Sequence, residues 1–110
     1  MYKIIKVGTT HLPLKMEDEE LKNLIDSFIA EFESVFSYSQ LCNGIKYYAL
    51  QNNYFKIEPH TEYHNIDITD GDNCRITKYL WQLVWKKKLM VSFYSPNSMK
   101  NDCSFKFMKL

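Results

Sequence analysis

The segment His60-Thr61-Glu62-Tyr63-His64, with Glu58 and Asp67 close by in the chain, gathers donors that bind zinc or non-haem iron. Two imidazoles and a carboxylate are the usual set, so a metal-dependent enzyme centred on His60, Glu62 and His64 is one expectation. The backbone decides it. In a strand, residues two apart are separated by ~6.6 Å, which leaves the two histidines ~13 Å apart. If Pro59 instead opens a helical turn, they stand at i and i+4 and converge, with a further ligand needed from His11 or Asp67.

A second carboxylate group, Asp67 with Asp70-Gly71-Asp72-Asn73, resembles a calcium loop only at first sight. Aligned from Asp70, its sixth place is Arg75 rather than glycine and its twelfth is Trp81 rather than glutamate, so the EF-hand pattern fails. Thr69 to Asn73 carries the side chains that start helices, and capping explains the cluster with fewer assumptions than magnesium chemistry. The chain contains no G-x-S-x-G, H-E-x-x-H, G-x-x-x-x-G-K-[ST] or G-x-G-x-x-G pattern. Cys42, Cys74 and Cys103 form no C-x-x-C pair. Cys74, in the first turn of a helix beside Arg75, is the one whose thiolate would be favoured. No catalytic residue and no cofactor are expected from these motifs.

Two patterns suggest binding instead. Tyrosine and lysine interleave at Lys46-Tyr47-Tyr48, Tyr54-Phe55-Lys56 and Phe105-Lys106-Phe107. A sheet face presenting Tyr48 and Tyr54, rimmed by Lys46, Lys56 and Lys106, would suit RNA or single-stranded DNA. Trp81 and Trp85 stand four apart, offset from the apolar stripe of their helix. Either both indoles complete the core or one edge reaches the surface as an interface anchor.

The elements that must position these groups follow from periodicity. Residues 2–7 are β-branched and aromatic and read as a strand. Leu21, Leu24, Ile25, Phe28, Phe32, Val35 and Phe36 fall at three- and four-residue steps, giving a helix over 17–36 with its acidic cluster at the positive dipole end. Asp18 is placed to pair with Lys22. Asn43-Gly44 reads as a stop, and 45–50 with 54–58 as a hairpin around Gln51-Asn52-Asn53. A strand over 63–68 and a second helix follow, the latter with Ile76, Tyr79, Leu80, Leu83 and Val84 inward and Lys86-Lys87-Lys88 at its end. Residues 89–94 and 103–108 form a last strand pair around Ser95-Pro96-Asn97-Ser98. The expected fold is a single α+β domain over 1–110. It is a two-layer sandwich with a mainly antiparallel sheet of four to six strands and two helices on one face. The order β-α-β-β-(β)-α-β-β admits an elaborated ferredoxin-like arrangement.

Composition narrows the class. Of 110 residues, 45% are apolar and 15% aromatic, which excludes a disordered chain. Thirteen lysines accompany a single arginine, so only Arg75 can offer a planar bidentate fork to phosphate or guanine. No apolar run approaches the ~18 residues of a membrane span, and the lysine-interrupted start is not a signal core. A cytoplasmic, reduced, membrane-free setting is the expectation.

Charge is sorted along the chain. Between Lys15 and Glu33 seven acidic residues face two lysines; from Arg75 onward eight basic residues face Asp102 alone. The reading that follows is a small intracellular protein-binding module, an adaptor, inhibitor or regulatory subunit of viral, mobile-element or housekeeping kind. It would use an acidic helix (Glu19, Glu20, Glu31, Glu33) and a basic aromatic surface (Trp81, Trp85, Lys86, Lys87, Lys88). Another protein is the expected partner, with homodimerisation or nucleic-acid binding as alternatives.

Overall fold

The computed structural model describes residues 2–92 and 106–110. The expected turn at Ser95-Pro96-Asn97-Ser98, together with Lys100, Asp102, Cys103 and Phe105, lies outside the described residues. The chain is α+β: β1 (Ile4–Leu12), α1 (Asp18–Glu31), β2 (Val35–Ser37), α2 (Tyr38–Gln51), β3 (Thr61–Ile68), α3 (Asp70–Trp85), β4 (Leu89–Ser92) and β5 (Lys106–Lys109). β1 and β3 form a two-stranded parallel sheet, and β2-β5-β4 a three-stranded antiparallel one. Among the described residues three helices and two sheets replace the two helices and one larger sheet expected, and the order differs from the ferredoxin-like one.

The first helix begins where its acidic cluster predicts. Glu17 and Glu20 make a reciprocal capping box, and Asp18, Glu19 and Glu20 occupy the first turn. It ends at Glu31, earlier than periodicity alone implies, because Phe32 is extended (φ −68°, ψ 156°) and Val35–Ser37 pairs with β5. The Lys109 ammonium closes this end, donating to the carbonyls of Ile29 at 3.0 Å and Phe32 at 2.7 Å. A cation thus meets the negative end of the helix dipole from a distant strand.

The expected hairpin over 45–50 and 54–58 is corrected: residues 38–51 are helix α2. Leu41, Ile45 and Ala49 are buried at steps of four, and Ser37 with Gln40 forms a capping box at its start. Gly44 is no stop signal. A Cβ there would lie 3.0 Å from Phe28 Cε1, so glycine lets α1 and α2 approach. Phe28, Phe32, Phe36 and Phe107 then stack in series, with centroid spacings of 6.3, 5.0 and 5.7 Å. Phe36, Ile25, Leu41, Ile45, Ile76 and Leu80 are fully buried at the centre of one apolar cluster.

α3 starts at its Thr69 cap, whose hydroxyl accepts from Asp72 N–H at 3.2 Å. Asp72 is buried, and its two oxygens serve different elements. Oδ2 accepts from the Leu14 backbone N–H at 2.9 Å, while Oδ1 accepts from Arg75 Nη2 at 3.0 Å and Nε at 3.2 Å. Arg75 Nη1 in turn donates to the Met16 carbonyl at 2.9 Å and to Asp18 at 2.8 Å. This network clamps the 13–16 connector between α1 and α3. Asp18 therefore pairs with Arg75 rather than Lys22, and the Arg75 hydrogen bond holds its carboxyl below the ordinary value.

A second tie between these helices is Tyr79, which donates to Asp26 Oδ1 at 2.7 Å. Burial, and then this bond to a carboxylate, push the phenol from 10 up to about 12. The folded chain thus holds this proton more tightly than the unfolded chain does. The stabilisation is full below pH 10 and disappears as pH rises from 10 to about 12. In tyrosinate absorbance titrations, subtracting Tyr79→Phe from the natural protein should leave a step near 12; a step at 10 would contradict the tie.

Candidate docking surface

The outward face of α3 carries the most exposed large apolar side chain on any helix of the described residues. Trp85 is 88% exposed and Trp81 46%, and with Lys78, Gln82 and Lys86 they line a shallow, largely apolar hollow. Helical spacing explains the placement. Ile76, Leu80 and Leu83 take the buried stripe, so positions 81 and 85, four apart, fall on a neighbouring face. Trp81 is anchored from below by an edge contact to Phe107 at 6.3 Å, which ends the phenylalanine stack. Among the described residues Trp85 has no such ring contact. Of the two sequence readings, the one in which both indoles complete the core is overturned for Trp85.

The charged residues expected on this side, Lys86, Lys87 and Lys88, are exposed where α3 ends, Lys86 being its C-cap and Lys87 taking φ 60°. Glu19, Glu20, Glu31 and Glu33 are exposed on and just beyond α1. The two charge blocks of the sequence are not wholly apart in space. Asp18 meets Arg75, and Lys109 meets the carbonyl end of α1.

The Tyr/Lys sheet face proposed for nucleic acid is not formed. Lys46 and Tyr48 lie on helix α2, Tyr54 and Lys56 on the connector beyond it, and Lys106 on β5 of the three-stranded sheet. Tyr48 and Tyr54 do meet, ring on ring at 5.8 Å, but against α1 near Glu20 rather than on a strand surface.

The backbone geometry that the metal reading needed meets the same kind of fact. Thr61–Ile68 is a strand, so Glu62 and His64 sit on one face of β3 at extended spacing, and His60 lies in the turn before it with φ 56°. The helical turn that would have joined His60 to His64 is absent. Among the described residues no three His, Cys, Asp or Glu side chains are grouped to hold an ion. Cys74 is exposed, but the Arg75 guanidinium beside it is engaged by Asp72, Asp18 and the Met16 carbonyl. Cys42 is partly buried, and burial pushes its thiol up, away from the reactive thiolate.

No helix among the described residues is long and apolar enough to cross a membrane. Comparison with protein-family models, with curated proteins and with solved structures returns no match. The chain is therefore placed by its own architecture, an α+β fold with three helices, one parallel and one antiparallel sheet among the described residues.

Proposed function

We propose that this protein is an intracellular binding module that docks another protein through the Trp81–Trp85 ridge of α3. The observation that carries the reading is the 88% exposure of Trp85 beside a half-exposed Trp81. An indole left in water is the kind of side chain that dominates interface energetics once a partner's pocket removes it from solvent. Lys78 and Lys86 flank the ridge, which suits a partner whose pocket is rimmed by carboxylates. The exposed acids Glu19, Glu20, Glu31 and Glu33 would form a second, separate surface that steers encounter rather than anchors it.

The test is capture from host extract on the immobilised chain, comparing it with Trp81→Ser/Trp85→Ser and with a variant reversing the four acids to lysine. Loss of the same captured protein with the tryptophan variant, and slower capture with the acid reversal, is the expected result. Equal capture by the tryptophan variant would remove the proposal. So would salt-sensitive retention of single-stranded oligonucleotides in place of a protein.

A further inference from the structure

Beyond the α3 ridge, the outer half of the β1/β3 sheet poses its own problem. Parallel strands are normally covered on both faces, and two strands alone are marginal in water. Here Ile4, Ile5 and Val7 are 51%, 65% and 85% exposed, and Glu62, His64 and Asn65 are exposed on β3. Among the described residues β3 pairs only with β1, leaving its other edge open.

The two free edges are not equivalent. β1 carries Lys6 and a register shift between Lys6 and Thr9, with Gly8 at φ 78°. A bulge and a lysine are the devices by which sheets stop edge pairing. β3 supplies the single residue His64 opposite Val7 and Gly8, so the extra residue is not its own, and it contains neither lysine nor proline. The phase of its ladder is set by the Ile4 N–H donating to the His60 carbonyl at 2.8 Å. Alternate residues of a strand turn their backbone groups to opposite sides, so 60, 62 and 64 face β1, while Thr61, Tyr63 and Asn65 direct theirs outward.

We propose that the β3 edge is a homodimer interface, in which two copies pair β3 against β3, antiparallel about a two-fold axis at Tyr63. The occupant is specified by charge. Centred on Tyr63, this register sets Glu62 of each copy opposite His64 of the other, and Thr61 opposite Asn65. Tyr63, Thr61 and Asn65 become the hydrogen-bonded pairs, using the backbone groups that already point outward. Glu62 and His64 fall in the non-hydrogen-bonded pairs, where facing Cα atoms are ~4.5 Å apart and side chains interact most closely. Among the described residues Glu62 meets Lys3 at 4.0 Å, both side chains well exposed, a weak contact that leaves it able to engage His64 of the second copy. The product is a four-stranded sheet of order β1-β3-β3-β1. An isologous contact of this size is at the small end of interfaces, so the dimer is weak and concentration-dependent.

Sedimentation equilibrium over a concentration series tests this. The natural chain should show a monomer–dimer equilibrium. His64→Glu sets like charges opposite one another twice per dimer and should weaken it about tenfold. His64→Lys should keep it, and the exchanged pair Glu62→His/His64→Glu should restore it. Amide exchange at Tyr63 should slow as concentration rises. A chain that stays monomeric at its highest soluble concentration would overturn the proposal. A dimer indifferent to His64→Glu would do so as well, since it would use another surface.

Discussion

Replacing Asp72 by alanine should cost about 3 kcal/mol of folding stability, the upper end for leaving a buried donor without its acceptor. The substitution strips Arg75 of its two-pronged acceptor and leaves the Leu14 N–H, in a buried stretch, with no acceptor. Domains of this size are stable by only ~5–15 kcal/mol, so the variant should lie near the folding threshold. Asp72→Asn should lose less, because an amide oxygen can still accept from Leu14 and Arg75 keeps its ion pair with Asp18. Urea midpoints for Asp72→Ala, Arg75→Met and the double variant would give the coupling. A double variant no more stable than the sum of the singles predicts would deny the clamp.

Trp85→Ala should have the opposite profile. With the indole 88% exposed, folding stability should stay within about 0.5 kcal/mol of the natural protein, as for surface substitutions. Affinity for the docked protein should fall by about 2 kcal/mol or more, roughly thirtyfold, as for an interface anchor. Trp81→Ala should disturb both, since its ring also seals the edge of Phe107. Isothermal titration and urea denaturation on the same samples separate the two effects. A Trp85→Ala chain that binds unchanged would remove the anchor.

How much of this was legible in the sequence differs by element. α1 and α3 announce themselves through apolar residues at helical steps and through capping side chains, Glu17 with Glu20 and Thr69. α2 does not, because two local signals mislead. Asn43-Gly44 looks like a helix end, and Tyr47-Tyr48 has the β-favouring character of a strand. The reason for Gly44 is Phe28 on another helix, a contact that no local window contains. The Ser37–Gln40 capping box and the four-residue step Leu41-Ile45-Ala49 were the available signals.

Phe36 shows the converse: it continues the α1 stripe in sequence, yet β5 draws it into a strand. The parallel pairing of β1 with β3, residues more than fifty apart, is likewise set by tertiary closure rather than by pattern. For the docking surface, the four-residue spacing of Trp81 and Trp85 was visible, but only the packing of Ile76, Leu80 and Leu83 decides which face is left outside.

The measurement closest to the heart of this account is acrylamide quenching of Trp81→Phe, in which Trp85 is the only indole left, with and without the captured protein. Strong quenching in the free chain that drops sharply on complex formation, with emission moving to shorter wavelength, is the predicted outcome. An indole just as open to quencher in the bound state would mean that the ridge of α3 is not where this protein docks.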